Sequence, residues 1–237
     1  MKALYLEEPY MKEFEAEIVS VTGREIVLDK TAFYPTGGGQ PCDTGSIFSG
    51  EDVFRVVSAR KEGGSIIHEL EKEDVEGKLI VGQKVIGKID WARRYRLMRM
   101  HTAAHLLAAL FHDRDGALIT GNQLNLEKSR IDFSLESFDR ERIDGRISEA
   151  NELIMKNLPV RFYWLDMEEA LKTPDLFKLA AGFKHEIDRI RIVEIEGVDR
   201  QADGGTHVSS LHEIGKIEFL KAENKGKSNR RIYFTVN

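Results

Sequence analysis

Cysteine is almost absent from this chain, because Cys42 is the only one among 237 residues. A single thiol cannot form an internal disulfide, which excludes the disulfide-stabilised secreted class and fits a reducing, cytoplasmic location. Long apolar runs are missing as well, since no stretch reaches eighteen apolar residues. We therefore expect no transmembrane helix and no membrane partner. The first ten residues contain acids and lack the apolar core of a signal peptide, so no targeting segment is expected.

An excess of positive charge is also lacking, because the formal net charge is −5. A protein that covers many phosphates is usually basic, so a wide nucleic-acid footprint is disfavoured. Two basic segments remain. One spans residues 216–231, and the other has four arginines within seven residues, at Arg93, Arg94, Arg96 and Arg99. They are either two solvated faces or local patches of the kind that grips one end of a nucleic acid.

Residues 1–89 predict a small β-barrel domain. Apolar and polar residues alternate in short runs, and turn residues separate the runs at Thr22-Gly23-Arg24 and at Gly63-Gly64. With 41% hydrophobic residues, the chain can bury a core, and its length allows two modest domains.

Residues 90–237 predict a second domain of α+β class with a largely antiparallel sheet. A helix of about twenty residues begins at Trp91, and a hairpin with arms at 117–126 and 130–135 follows it. Asp139 is placed to cap a second helix that ends near Asn157. Further strands are predicted at 160–166 and 188–197, and a final hairpin at 214–223 and 230–236.

Two histidines stand four residues apart in the predicted long helix, at His101 and His105. This spacing stacks both imidazoles on one helix face, where they can share a divalent metal. Such a pair alone is a weak signal, because core histidines with satisfied hydrogen bonds are common. The metalloprotease motif requires Glu after the first histidine. Thr102 stands there, so a zinc protease is disfavoured.

The segment from Asp203 to His207 offers a second pair of ligands around Gly204 and Gly205. Paired glycines allow a sharp turn, so both side chains can project from one loop. The alternative is an ordinary Gly-Gly turn that begins with Asp. Together the two pairs would supply four nitrogen or oxygen ligands, which suffices for a tetrahedral metal.

A run of three glycines, Gly37 to Gly39, precedes Gln40 in the first domain. Its backbone N–H groups and the glutamine amide could approach a ligand closely. No Gly-Lys-Ser/Thr follows, so this is not a P-loop. A flexible barrel loop is the alternative.

Four segments in this order resemble the editing domain of alanyl-tRNA synthetase and its free-standing relatives, the AlaX proteins. They are TAFYPTGGGQPCDTG (31–45), KIDWARRYRLMRMHTAAHLL (88–107), GNQLNLEKSRIDFS (121–134) and DRQADGGTHVSSLHEIGKI (199–217). The glycine-rich loop is similar to that of the medium-length AlaX class, which carries the barrel domain. The resemblance implies a hydrolase that deacylates mischarged Ser-tRNA(Ala) and Gly-tRNA(Ala) at a Zn²⁺ site.

The resemblance also implies the roles of individual residues. Its metal ligands are His101, His105, Asp203 and His207. Its catalytic candidates are Thr102 and Gln123. The implied substrate-binding residues are Gly37, Gly38, Gly39, Gln40, Gly204, Gly205 and Thr206. The implied tRNA(Ala)-binding residues are Arg93, Arg94, Arg96 and Arg99, of which we expect about half to face phosphates.

Two positions depart from the family pattern. Asp203 stands where the family usually has a cysteine ligand, and Ala104 stands where the synthetases often have threonine. A carboxylate is a harder ligand than a thiolate, so other divalent ions become acceptable beside zinc. Two other functions stay open: a non-catalytic tRNA-binding module with a disabled metal site, and a metal-dependent hydrolase of small esters or amides.

Overall fold

The computed structural model describes residues 1–71, 75, 77–137, 140–177 and 188–237. Its contacts divide the chain into a unit of Met1–Arg96 and a unit of Leu97–Asn237. The division falls inside the first long helix, seven residues after the boundary that the sequence predicts. The predicted division into a β-barrel domain of residues 1–89 and an editing domain of residues 90–237 stays a prediction.

The N-terminal unit is built from short strands. They are β1 (Lys2–Ala3), β2 (Glu13–Thr22), β3 (Glu25–Leu28), β4 (Lys30–Thr31), β5 (Gly45–Ser49), β6 (Asp52–Glu62), β7 (Ser65–Leu70) and β8 (Lys84–Ile89). Six of them close into an antiparallel barrel in the order β2-β3-β7-β6-β5-β8, and β1 pairs with β4 in parallel. This confirms the predicted barrel.

Alternation of side chains explains why these strands form a barrel. In β8 every second residue is buried, and β2 repeats that pattern over its first six residues. The predicted hairpins are confirmed at Gly23 and at Gly63-Gly64, all three with positive φ. Gly87 allows a close approach inside the barrel, because a Cβ there would lie 2.4 Å from the Phe14 ring.

The C-terminal unit contains helices and two antiparallel sheets. The helices are α1 (Trp91–Asp115), whose first turns belong to the N-terminal unit, α2 (Arg140–Met155) and α3 (Met167–Leu171). The strands are β9 (Ile119–Gln123), β10 (Ser129–Phe133), β11 (Val160–Asp166), β12 (Arg189–Ile195), β13 (Asp199–Ala202), β14 (Ile217–Asn224) and β15 (Arg230–Val236). One sheet has the order β14-β15-β10-β9, and the other has the order β11-β12-β13.

These elements confirm the predicted α+β class. The hairpins β9–β10 and β14–β15 lie where the sequence places them, and α1 is 25 residues long rather than about twenty. Strand β13 and helix α3 are not predicted. The predicted cap Asp139 lies outside the described residues, and α2 is described from Arg140 onward.

Helix α1 is buried on all sides along its middle. Every residue from Met100 to Phe111 is buried, so no face of the helix is exposed to solvent there. The sequence predicts burial of one apolar stripe only. His101, Thr102 and His105 are therefore interior residues, and interior polar side chains need hydrogen-bond or metal partners. Among the helices in the described ranges, none has the length and apolarity to span a membrane.

Candidate metal centre

Four side chains converge in the C-terminal unit: His101, His105, Asp203 and His207. One potential ligand atom from each lies within 4.8 Å of all the others. The nearest pair is His207 Nε2 and Asp203 Oδ1 at 3.0 Å, and Asp203 Oδ2 lies 3.6 Å from His101 Nε2 and 3.8 Å from His105 Nε2. Ligand atoms around a tetrahedral zinc lie about 3.4 Å apart, so this spacing suits a metal ion.

Two separate pieces of chain supply these ligands. Helix α1 presents His101 and His105 one turn apart, with ring centroids 5.2 Å from each other. The loop after β13 presents Asp203 and His207, and the ring of His207 lies 4.3 Å from that of His101. The three histidines are nearly inaccessible, whereas the side chain of Asp203 keeps 16% exposure. The cluster is therefore reached from the side of Asp203.

The loop that carries Asp203 is fixed by its own hydrogen bonds. Oδ1 of Asp203 accepts the N–H of Gly205 at 2.6 Å. Nη1 of buried Arg191, on β12, donates to the carbonyls of Asp203 and Gly205 at 3.1 and 3.0 Å. Gly205 must be glycine, because a Cβ there would lie 2.2 Å from Cε1 of His101. The Gly-Gly turn thus brings the loop backbone directly against a ligand ring.

Thr102 orients His207 from the interior side. Its hydroxyl donates to the carbonyl of Met98 at 3.1 Å and accepts the N–H of Val208 at 3.2 Å. Nδ1 of His207 lies 3.2 Å from the same oxygen. Because the hydroxyl proton is already used, His207 must donate from Nδ1. Its Nε2 lone pair then faces Asp203 and is available to a metal.

Asp199 orients His105 in the same way. Its carboxylate lies 3.1 Å from Nδ1 of His105 and is itself buried. A carboxylate accepts only, so Nδ1 is the donor and Nε2 points toward Asp203. Metal-ligating histidines commonly carry such an outer carboxylate, which fixes the ring and raises its basicity.

The protonation of the cluster fits a cation between its ligands. Burial lowers the pKa of His101 well below its usual value and that of His207 to about 4. Burial also acts on His105, but hydrogen bonds with Asp199 and Asp203 outweigh it and raise the pKa to about 9. Burial opposes ionisation of Asp203, yet His101 and the nearby ring nitrogens of His105 and His207 hold its pKa well below the usual range. His101 and His207 are therefore neutral and Asp203 is ionised, which is the form that binds a divalent metal, whereas His105 must release a proton when the metal binds.

The remaining predicted residues of this loop and helix lie beside the cluster. Thr102 and Thr206 are fully buried, and Gly204 is exposed at the loop surface. Thr102 therefore acts on His207, and the part of the loop open to solvent is the backbone at Gly204. Their roles toward a substrate stay predictions.

Gln123 points away from helix α1. It pairs with Arg130, and its Oε1 accepts from Nε of that arginine at 3.3 Å. Its neighbour Asn122 pairs with buried Ile131 on the opposite sheet face, and Phe133 on that face packs against Phe111 of α1, at 4.6 Å between ring centroids. Strand alternation gives Asn122 the inward position, and contact of Gln123 with the aminoacyl group stays a prediction.

The glycine-rich segment of the N-terminal unit is a tight turn. The N–H of Gly37 donates to the carbonyl of Gln40 at 3.1 Å, and the reverse bond is 2.9 Å. Gly38 and Gly39 form the exposed tip and have φ of 56° and 84°. The side chain of Gln40 is fully buried. Only the two tip glycines present open backbone to a ligand.

The guanidinium of Arg94 is held inside the N-terminal unit, and its contact with tRNA phosphate stays a prediction. Its side chain is fully buried and forms an ion pair with equally buried Asp43. It also donates to the carbonyls of Pro9, at 2.8 Å, and Ala32. The positive charge of Arg94 is compensated inside the N-terminal unit. Arg94 therefore stabilises the fold, although its sequence context suggests an exposed helix position.

The other predicted arginines are half-buried. Arg93 donates from Nε to the carbonyl of Cys42 at 3.0 Å. Arg99 donates to the carbonyl of Ile214 at 2.7 Å and to that of Asn237. Arg96 is also half-buried. Contact of these three with phosphates stays a prediction.

Sequence reasoning missed two residues of this site, Asp199 and Arg191. Arg191 could have been noticed in the sequence, because it is a charged residue within an apolar strand, at a position where a buried side chain is expected. Asp199 gives a weaker signal, because it lies four positions before Asp203 in a strand that the sequence does not predict.

Comparison with known proteins gives the family. Residues 2–93 match the family model of class II (A) tRNA synthetases, and residues 190–233 match that of the threonyl and alanyl tRNA synthetase second additional domain. The alanyl-tRNA editing protein AlaX-M of Methanosarcina barkeri is 51% identical over 99% of this chain and 98% of its own length. AlaX-M of Saccharolobus solfataricus is 48% identical over 98% of both chains. The alanine–tRNA ligase of Pyrococcus abyssi is 38% identical over 98% of this chain, which corresponds to 25% of the ligase. With its buried His–Asp cluster and these full-length relatives, the chain belongs to the AlaX-M family of alanyl-tRNA editing proteins.

Proposed function

We propose that this chain is a trans-acting aminoacyl-tRNA deacylase that hydrolyses the ester of mischarged tRNA(Ala). Ser-tRNA(Ala) is the main proposed substrate, and Gly-tRNA(Ala) is the second. The observation that carries the proposal is the buried cluster of His101, His105, Asp203 and His207 in a chain whose relatives are named alanyl-tRNA editing proteins.

The four ligands are proposed to hold one divalent ion, with zinc as the first candidate. When bound, such an ion can polarise an ester carbonyl or lower the pKa of a water molecule. Asp203 supplies the same negative charge as a thiolate but is a harder ligand. The chain itself contributes the orientation of the rings, through Asp199 for His105 and Thr102 for His207.

Substrate is proposed to approach along the exposed backbone at Gly204, on the side where Asp203 is accessible. A site that hydrogen-bonds the seryl hydroxyl would spare alanyl-tRNA, because a methyl group would leave buried polar groups unpaired. The exposed tip at Gly38 and Gly39 is proposed to contact the substrate as well. Replacing Gly38 with a bulky residue would then separate seryl from glycyl hydrolysis.

Phosphates of tRNA are proposed to contact some of the half-buried arginines Arg93, Arg96 and Arg99. Each phosphate contact lowers the slope of log affinity against log salt by about one. Binding that does not change with salt would remove these contacts from the proposal.

The test is deacylation of seryl-, glycyl- and alanyl-tRNA(Ala), with and without a chelator. We expect rapid hydrolysis of the seryl ester, slower hydrolysis of the glycyl ester and sparing of the alanyl ester, with the activity lost in chelator. His207→Ala should lose both bound metal and activity. A protein that binds tRNA without metal and without deacylation is the non-catalytic module instead. Hydrolysis of a free serine ester as efficient as that of charged tRNA would indicate a small-ester hydrolase.

Exchange of the third ligand tests the identity of the metal. Asp203→Cys keeps the charge and softens the ligand, so elemental analysis should show more zinc relative to manganese or cobalt than in the wild type. Asp203→Ala removes the ligand altogether and is the matched control, which should retain little metal. Equal metal content in all three proteins would remove Asp203 from the ligand set.

A further inference from the structure

One face of the sheet β11-β12-β13 continues from the metal loop to an exposed aromatic pair. Asp203 lies opposite Arg191, because its N–H donates to the Arg191 carbonyl at 3.1 Å in continuation of the β12–β13 ladder. Arg191 in turn pairs with Trp164, and Phe162 pairs with Val193. Residues directly opposite one another share a face, so these side chains form one continuous surface.

The aromatic end of this face is open. Phe162 and Trp164 are each 36% exposed. The intervening residues of β11 behave differently, since Tyr163 and Leu165 pack on the opposite face against a cluster that includes Met167. The face that carries Tyr163 and Leu165 is therefore covered by the protein itself. The face that carries the two exposed aromatic rings is available to a flat, apolar partner.

Arg191 joins the aromatic pair to the metal loop. Its guanidinium lies 4.4 Å from the centroid of the Phe162 ring. The same group donates to the carbonyls of Asp203 and Gly205. The position of the metal ligand and the position of the aromatic surface are therefore set by one buried side chain.

We propose that Phe162 and Trp164 form a stacking surface for the terminal nucleobase of the unpaired 3′ end of tRNA. The proposal rests on the proposed function, because the nucleobase would be that of the nucleoside whose ester is cleaved. Trp164 lies two strands from Asp203, which is about 10 Å between strand axes. That separation is of the same order as the span from an ester on a ribose to its base. Every base has a π face, so the surface recognises an unpaired base without reading its edge.

Kinetics with Trp164→Ala provide the first test. We expect KM for seryl-tRNA(Ala) to rise about tenfold or more with kcat nearly unchanged, because only base stacking is removed. Trp164→Phe keeps an aromatic ring and should restore most of the affinity. Leu220→Ala is the matched control, since Leu220 is an exposed apolar strand residue of the other sheet. An unchanged KM in Trp164→Ala, with a melting temperature like that of the wild type, would overturn the proposal.

Fluorescence provides a test that does not require hydrolysis. The chain has two tryptophans, so Trp91→Phe leaves Trp164 as the sole one. We expect an adenosine carrying a non-hydrolysable 3′-seryl amide to quench this fluorescence, and the same compound without its base to have no effect. Equal responses to both compounds, or no response to either, would exclude stacking on Trp164. Quenching by the adenosine compound in a protein without deacylase activity would reject the proposed function and retain the stacking surface.

Discussion

The hydroxyl of Thr102 holds Nδ1 of His207 at 3.2 Å, although 105 positions separate them in the chain. This contact is the point where helix α1 and the loop after β13 are tied together on the interior side of the cluster. It also fixes which nitrogen of His207 is free, since Nε2 remains for a metal.

The first prediction follows from this contact. Thr102→Val keeps the shape but removes the oxygen, so His207 loses its orienting partner and the N–H of Val208 is left unpaired. We expect metal affinity to fall about tenfold to a hundredfold, as for other outer-shell losses. A competition titration with a chromogenic chelator measures this. Thr102→Ser retains the oxygen and is the control. If the valine variant binds metal as tightly as the serine variant, Thr102 does not orient the ligand.

The second prediction concerns the carboxylate behind His105. Asp199→Ala removes the acceptor of the Nδ1 proton, and we expect metal affinity and deacylation to fall together by about tenfold to a hundredfold. Asp199→Asn retains an acceptor oxygen without the charge and should show a smaller loss. The comparison separates ring orientation from electrostatics. Identical losses in the two variants would show that the charge alone matters.

Several parts of this site were visible in the sequence, and others were hidden for physical reasons. The spacings of His101 with His105 and of Asp203 with His207 follow from helix and turn geometry. Their convergence depends on tertiary packing, which no spacing contains. Asp199 was hidden because residues 199–202 have low strand propensity and become a strand only by pairing with β12.

The orientation of two predicted site residues was not visible in the sequence, because one residue of register or one distant partner decides it. Gln123 and Asn122 are neighbours, and only the observed pairing with β10 shows which of them faces inward. Arg94 has the sequence context of a solvated helix face. Its partner Asp43 lies 51 residues earlier, so burial of the pair could not be inferred from local composition.

The third prediction tests the structural role of Arg94. Arg94→Met leaves the Asp43 carboxylate buried without its cation, so we expect a loss of about 3–5 kcal/mol in the free energy of unfolding. Urea denaturation measures this, with Arg94→Met/Asp43→Asn as the control that should recover part of the loss. Arg94→Met/Asp43→Asn, which removes the charge at position 94, should leave the salt dependence of tRNA binding unchanged. A shallower salt slope in that variant would place Arg94 in the tRNA-contacting set.

The fourth prediction concerns His68 inside the barrel. Its Nδ1 lies 3.3 Å from the carbonyl of Ile26, and its Nε2 lies 2.8 Å from the hydroxyl of Thr31. That hydroxyl oxygen also accepts the N–H of Phe33 at 3.1 Å, so its proton is free to point at Nε2. Both ring nitrogens are therefore satisfied in the neutral tautomer. Burial lowers the pKa of His68 to about 4, against an ordinary value of 6.5.

The sign of the resulting pH dependence follows from linkage. Between pH 6.5 and about 4 the unfolded chain binds a proton at His68 and the folded chain does not, so stability falls as the pH falls through this window. The full contribution is up to about 3 kcal/mol, and it is present above pH 6.5. His68→Gln removes the titration, so the free energy of unfolding of the variant should fall less steeply over this range. All other titrating groups are common to the two proteins, and their difference isolates His68. Parallel curves for wild type and variant would show that His68 binds its proton as readily in the folded barrel as in the unfolded chain.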